Sequence, residues 1–534
     1  MAFTLIQAGA TLKLVDTAGT PSAALTLPTN IVLSTSRTPR FAIFGKYVIC
    51  VNSPNRPLTI DGNGTVRVLS PRPPGSVPVV SAQSGGALSG SYKVKQTFRV
   101  KDTEGNILAE SDFGPVSAAQ AVASQYLRAA SLDLSPDSVS SSMLYRTTTG
   151  GAVFFPWVEL NGNTQTSIQD DLSDAGLSLV AAAPLGSAPD LVTVASWRGR
   201  LWGGDRVDID HLRASEVERM SAWPRSNDIL IPPQGADSVG IRALAPRREA
   251  LGIGRRNHIF QVTGTTFGTA KTSSDFRSVK VTENAGIESQ ESVVVYRDTA
   301  YFLWKDGVYA WDSGGIRCIS DGKAGKGNVR SWFTTDSYFN RSRFNVAIAQ
   351  IDPIRNKYRL FLSAAGSSDL DRWVEYDLNE ETWWGPHQTA AFTPVSAMVV
   401  PTANDVLKPM MGSTSGFMWE EQATRTDNTA TAIDFDVDTK RHDGGTPNVE
   451  KVFKHLRMTG VVQSNGRLTI TASKGELDAP ADSQAHQMDL TKASQDVGII
   501  GAGKAVTLNF RENTAGQDVQ LLGYELGFHE LGVR

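Results

Sequence analysis

Apolar and polar positions alternate with a period of two through most of the chain, the pattern of half-buried β-strands rather than of helices. Phe41-Ala42-Ile43-Phe44, Gly45-Lys46 and Tyr47-Val48-Ile49-Cys50-Val51 read as a hairpin about a glycine turn. Residues 92–100, 358–362 and 468–471 alternate in the same way. Helical periodicity is nearly absent, and the two best helix candidates, residues 118–123 and 214–219, are short. The pattern predicts an all-β protein.

One unit recurs along the chain: an apolar strand, a turn residue, then a strand carrying an aromatic. It occurs as Gly199-Arg200-Leu201-Trp202, Asn257-His258-Ile259-Phe260, Gly307-Val308-Tyr309-Ala310-Trp311, Asn379-Glu380-Glu381-Thr382-Trp383 and Gly416-Phe417-Met418-Trp419. The intervals are uneven, but their mean of about 54 residues is near the blade length of kelch-like propellers. Radial packing explains such a repeat. A four-stranded sheet with two apolar faces buries both between neighbours, leaves only short edges, and uses aromatics on inner strands to fill the gap between blades.

Ten of the eleven tryptophans lie between Trp197 and Trp419, and none follows, so the composition changes near residues 427–440. The C-terminal stretch is expected to be a separate β module, with strands near residues 452–458, 468–472, 506–510 and 519–526. Ser70-Pro71-Arg72-Pro73-Pro74-Gly75-Ser76-Val77-Pro78 reads as a proline-rich linker. It leads into about 100 residues whose strand count fits a small β-sandwich. The expected organisation is an irregular β-propeller begun by residues 1–76, interrupted by a sandwich over 77–188, resumed over 189–430, and followed by a β module over 431–534.

Composition narrows the classes of function. With 40% hydrophobic and 20% charged residues, the 534-residue chain buries a sizeable core, which excludes wholesale disorder. Lys+Arg 52 against Asp+Glu 55 gives a net charge of −3, so no global basic field exists for wrapping nucleic acid. Cys50 and Cys318 are too few for a disulfide scaffold or a structural zinc site. Sequence leaves one bridge open, while two free, buried thiols fit a reducing cytosol. The start, Met1-Ala2-Phe3-Thr4-Leu5-Ile6-Gln7, lacks the basic and apolar regions of a signal peptide, and no stretch approaches the length of a transmembrane helix.

Three segments carry further motifs. The first comprises residues 92–100, then Gly105-Asn106-Ile107-Leu108-Ala109-Glu110-Ser111 and Met143-Leu144-Tyr145-Arg146-Thr147-Thr148-Thr149-Gly150, similar to a fibronectin-like insert. The second is Ala195-Ser196-Trp197-Arg198-Gly199-Arg200-Leu201-Trp202-Gly203-Gly204 with Ala214-Ser215 and Ser221-Ala222-Trp223-Pro224, similar to a blade opening. The third is Val452-Phe453-Lys454-His455-Leu456-Arg457 after Lys440-Arg441, similar to the first strand of a C-terminal sandwich in virion proteins. Together these three segments resemble the tail nozzle, or tail hub, proteins of short-tailed bacteriophages, and the resemblance implies a structural virion protein of the viral tail, made in the host cytoplasm. It implies a ring homo-oligomer, a hexamer, below the portal and adaptor, with docked fibres or spikes. Double-stranded DNA would pass through the ring's lumen without specific binding. The family carries no catalytic residues to transfer, so no catalytic, metal or cofactor-binding residue is assigned and no cofactor is expected.

Gly498-Ile499-Ile500-Gly501-Ala502-Gly503-Lys504 matches the first seven positions of a phosphate-binding loop, but Ala505 stands where a hydroxyl should meet Mg²⁺. The alternation that follows reads as a strand, so a glycine-rich hairpin is expected there. The seven histidines (His211, His258, His387, His442, His455, His486 and His529) show no metal-ligand spacing. Asp205, Asp208 and Asp210 near Glu216 and Glu218 are residue types that bind Ca²⁺ or hydrolyse glycosides, without the glycine and glutamate of an EF-hand loop. A propeller glycosidase or depolymerase, and a receptor-binding propeller, are therefore the alternatives. Eleven Arg against eight Asp/Glu between Arg198 and Arg256 make a local +3. That excess reads as solvated loops and intersubunit ion pairs first, and as a surface facing DNA or an acidic ring second.

Overall fold

The computed structural model describes the chain except residues 1–3, 17–19, 30, 53–54, 103, 138, 179, 182–183, 234–238, 269–273, 323–327, 389–392, 402–405, 415–417, 421–425, 428–430, 433–434, 464–465, 476–479, 515–518, 520 and 532–534. Two compact units emerge, Met1–Glu420 and Glu421–Arg534. The first is an irregular β-propeller with an inserted fibronectin-like β-sandwich. The second is a β module.

Six antiparallel sheets among the described residues form the blades, each running outward in chain order. Blade I is Arg40–Phe44, Tyr47–Val51, Leu58–Ile60 and Val66–Val68; blade II is Leu191–Trp197, Arg200–Asp205, His211–Ala214 and Asp228–Leu230. Blade III is Ala243–Pro246, Leu251–Gly254, Ile259–Thr263 and Arg277–Thr282; blade IV is Val294–Tyr296, Thr299–Trp304, Gly307–Asp312 and Gly315–Cys318. Blade V is Ile348–Asp352, Lys357–Leu362, Arg372–Asp377 and Thr382–Gln388; blade VI is Pro394–Pro401, Leu407–Ser413 and Met418–Glu420. From blade I through to blade VI, each first strand packs against the first strand of the following blade, so these strands are innermost. From blade II to blade VI they begin roughly 50 residues apart, the kelch-like spacing.

The recurring aromatic unit does not occupy one place in the blades. Gly199 turns between strands one and two of blade II, Asn257 and Gly307 between strands two and three of blades III and IV, and Asn379 between strands three and four of blade V. This explains the uneven sequence intervals. Gly416 and Phe417 lie outside the described residues. The large aromatics are also not concentrated on the innermost strands. Trp202, Phe302, Trp304, Trp311 and Phe361 sit on second and third strands, while Ala42, Ala195, Ala243, Ala245 and Ala349 line the inner ones. Blades converge on an axis, so the space between them is narrow at the centre and widens where rings fit. At Gly252 on blade III an added Cβ would meet the Trp311 ring at 2.3 Å, so the absent side chain is what lets blade IV approach.

Alternation puts one face of each blade against each neighbour, and a separate apolar cluster fills each gap from I/II through V/VI. The other face of blade I is covered by the N-terminal segment. Leu5 and Leu12 of a hairpin (Thr4–Ala8, Thr11–Val15), with Ile31 and Leu33, bury Cys50, Leu58, Ile60 and Val68. This two-stranded wedge has no counterpart in the repeat. Cys50 is fully buried and its thiol is pushed up to about 12 by burial; neither cysteine is bridged.

The insert joins a three-stranded sheet (Val79–Tyr92, Gln120–Ala130, Ile168–Asp170) to a four-stranded one (Val94–Lys101, Ile107–Glu110, Ser141–Thr147, Phe154–Asn161). Residues 118–123, expected as a helix, run into the strand Gln120–Ala130, because pairing with Val79–Tyr92 satisfies the backbone that alanine propensity alone would coil. Residues 214–219 are likewise a strand end and turn, Glu216 bridging Arg219. The proline-rich stretch is pinned rather than loose: Gly75 and Ser76 donate backbone N–H to Asp133, and Arg72 to Asp137. Insert and blade II are tied by Arg225 to Asp112 at 3.3 Å and by the Ser221 hydroxyl, which donates to the Leu108 carbonyl.

The C-terminal unit is also a two-sheet arrangement. One sheet orders Phe435–Asp438, Ala505–Glu512, Arg467–Gly475 and Pro480–Asp489; the other places Lys451–Gly460 between Ser494–Gly503 and Leu521–Glu530. Phe453, Leu456, Leu468, Ile470, Ile499 and Phe510 are among its core.

Candidate functional site

The innermost strands surround an axial cavity, the place where propellers gather side chains from several blades. Arg40 at the start of blade I forms an ion pair with Glu291, which lies just before blade IV, on the opposite side of the ring. Both side chains are about one-fifth exposed, and burial lowers the Arg40 guanidinium to about 10, still protonated at neutral pH. Beside the pair, Gln290 Nε2 donates to Thr193 Oγ1 of blade II at 2.7 Å, and Ser289 Oγ donates to the Ala347 carbonyl ahead of blade V at 2.7 Å. Four blades are thus cross-linked near the axis.

Two cavities meet at the pair. One, of about 300 Å³, lies towards Arg343, Asp369 and Thr414. The other, of about 590 Å³, is bounded by Leu5 and Gln7 of the N-terminal wedge, Phe41 of blade I, Leu244 of blade III and Val395 to Met398 of blade VI. Blades I and VI face each other across this second space, with the wedge beside it. A double-mutant cycle with Arg40→Gln and Glu291→Gln, read by urea unfolding, is expected to give a coupling of about 1–2 kcal/mol. Additive single effects would mean that the pair does not hold blade I to blade IV. Nothing in the sequence marked this pair, because blades II and III stand between its members in the chain and only the arrangement of blades about the axis brings them together.

The carboxylates singled out by sequence do not form an open pair. Arg213 takes Asp205 at 3.2 Å, Asp208 at 3.0 Å and Asp228 at 3.2 Å, while Asp210 binds the fully buried Arg255 at 2.7 Å. His211 shares Asp228 at 2.8 Å. His442 contacts the Tyr524 hydroxyl at 2.7 Å, and His387 packs at a tilt against Trp373 with centroids 4.4 Å apart. No group of three or more His, Cys, Asp or Glu suited to a metal ion occurs among the described residues. Nine of the eleven arginines from Arg198 to Arg256 have a carboxylate within 4.0 Å in the same chain, so the excess expected on intersubunit surfaces is used largely within the fold.

The glycine-rich segment before Lys504 is not a hairpin. Ser494–Gly503 and Ala505–Glu512 belong to different sheets, so the chain turns a corner at Lys504. The glycines make room for packing: a Cβ on Gly501 would meet Lys474 Nζ at 2.4 Å, and one on Gly503 would meet the Gly475 backbone at 2.7 Å. Lys474 is buried there and donates to the Ile500 carbonyl at 2.7 Å. No helix begins at this corner to cradle a phosphate.

The insert's motif residues form an internal polar network. The Tyr145 hydroxyl donates to Glu110, Thr97 Oγ1 donates to the same carboxylate at 2.7 Å, and Arg99 lies 3.1 Å from it. Burial and the Glu110 charge push the Tyr145 phenol up. Arg146, wholly buried, lies over Tyr92 and binds Asp174 at 2.7 Å. These residues lock the sandwich.

No family model and no curated protein matches the chain. Among solved structures, the exo-β-1,3-galactanase of Phanerochaete chrysosporium is 10% identical, covers 60% of this chain and 91% of its own, and has a TM-score of 0.22. The WD40 β-propeller domain of Doa1 is 8% identical, covers 76% and 97%, and has a TM-score of 0.27. PorZ, a surface component of the type-IX secretion system of Porphyromonas gingivalis, is 12% identical, covers 78% and 53%, and has a TM-score of 0.26. At these values the likenesses carry no functional argument; the blade order described above defines the propeller.

Proposed function

We propose that this chain is a structural subunit of a short-tailed phage tail nozzle, assembled as a six-copy ring below the portal and adaptor, with no catalytic role. What supports the reading is where the three resembling segments fall. The blade-opening segment supplies the inner hairpin of blade II, with Arg198 and Gly199 both at positive φ in its two-residue turn. The insert segment is the Glu110–Tyr145–Arg99 network that holds the sandwich. The third segment is the central strand Lys451–Gly460 of a C-terminal sheet.

In this role the sheets act mechanically, as a rigid wall, and a cyclic ring requires two different faces on each subunit. The propeller axis is bridged by Arg40 and Glu291, and its cavities of about 300 and 590 Å³ have the size of small-molecule pockets. The genome passage of this reading therefore runs between subunits, around the ring axis, with DNA held by no specific contact. Adaptor proteins and fibres or spikes would dock on loops of the two faces.

Native mass measurement of the purified chain, followed by cryo-electron microscopy of the virion tail, tests the reading. A six-fold assembly on the portal axis is the expected result. A stable monomer under all conditions, or density away from that axis, rejects it in favour of a receptor-binding propeller. Release of sugars from host-surface glycans would overturn the non-catalytic part.

A further inference from the structure

We infer that a basic cleft between blades III, IV and V binds a phosphate-type oxyanion. The cleft, about 590 Å³, lies at the end of the propeller where the innermost strands begin. Arg242 and Glu288 precede the first strands of blades III and IV, Arg256 and Lys305 occupy the turns between second and third strands of the same blades, and Arg341 comes from the segment ahead of blade V. Four cations and one carboxylate are therefore gathered there among the described residues.

The carboxylate is held back from the opening. Glu288 is about one-eighth exposed, Arg242 lies 3.6 Å from its Oε2, and the same guanidinium donates to the Glu288 carbonyl at 2.8 Å. Arg256 is 4.0 Å from Glu288, beyond hydrogen-bond range, and half exposed. Lys305 places its ammonium 4.3 Å from the centre of the Trp304 ring, and Arg341 donates to the Lys305 carbonyl at 3.3 Å. Arg256, Lys305 and Arg341 thus converge from three blades on one concavity. A guanidinium presents five N–H donors in a planar fork that fits a phosphate bidentately, and the ammonium adds a point charge. The Trp304 indole is buried and already covered by Lys305, so the cleft offers charge without a stacking platform for a base. The recognised chemistry is the phosphate itself, whether free or in a nucleic-acid backbone.

The test titrates the full chain at low salt with pyrophosphate by calorimetry and with a short mixed-sequence DNA duplex by fluorescence anisotropy. Arg256→Gln, Lys305→Gln and Arg341→Gln are compared with Arg248→Gln, an 85%-exposed side chain in a turn at the other end of blade III. Urea midpoints show that each variant is folded. Saturable pyrophosphate binding that weakens about tenfold in each cleft variant, and not in Arg248→Gln, identifies a free phosphate. Duplex binding lost in the same variants and steeply weakened by salt, with pyrophosphate silent, identifies backbone phosphates. Binding of neither probe, or binding equally affected by Arg248→Gln, overturns the inference.

Discussion

Trp202→Ala is expected to destabilise the propeller by about 3–5 kcal/mol, the range for removing a buried tryptophan. Trp202 is wholly buried on the second strand of blade II. Its ring meets Trp197, Phe267 and Phe276 at centroid distances of 5.6, 5.8 and 5.1 Å, and its Nε1 donates to the Trp197 carbonyl at 3.1 Å. Truncation opens a cavity midway between two blades, where neither sheet can collapse without shifting its strands. Urea unfolding followed by tryptophan fluorescence measures this selectively, because all eleven tryptophans precede residue 420 and so report Met1–Glu420. Trp202→Phe should lose less. An unchanged midpoint in Trp202→Ala would show that the II/III gap does not depend on this ring.

A loss of similar size, about 3–5 kcal/mol, is expected for Arg359→Met in blade V. Arg359 is 2% exposed and spans Asp352 at 3.2 Å and Glu375 at 2.8 Å, both carboxylates being nearly as buried. Lys357 reaches Glu375 at 2.6 Å, and the Arg359 guanidinium lies 5.4 Å from the centre of the Trp373 ring. The cost comes from leaving two buried carboxylates with less counter-charge, not from losing a strong bond. Adding Asp352→Asn and Glu375→Gln should therefore restore part of the stability. Arg359→Lys should not, since one ammonium cannot bridge both carboxylates as the planar fork does. A triple variant no more stable than Arg359→Met alone would refute this account.

The two sites stand for two ways of joining blades. The gaps from I/II to IV/V are filled by apolar side chains, as the alternation requires. On blade V, the side facing blade VI carries Gln350, Asp352, Arg359 and Glu375 beside Ile348 and Phe361. Both amide atoms of Gln350 lack a hydrogen-bond partner among the described residues, although the residue is 3% exposed.

The sequence alone determined the β class, the hairpin at Phe41 to Val51, the strands around Tyr145 and Phe453, and the repeat length of the blades. Each depends on neighbours close in the chain: side-chain period two, a turn residue, a run of branched or aromatic residues. Tertiary structure decided what depends on partners far away. The glycine-rich run Val79–Tyr92 became a strand, and the alanine-rich run at Gln120–Ala130 became its partner, because each offered the other a hydrogen-bonding edge. Ring geometry moved the large aromatics outward and small residues inward. It joined Arg40 to Glu291, gathered Arg256, Lys305 and Arg341, and paired most of the arginine excess with carboxylates. Charge and spacing along a chain do not encode which blades meet at an axis; only closure of the sheets does.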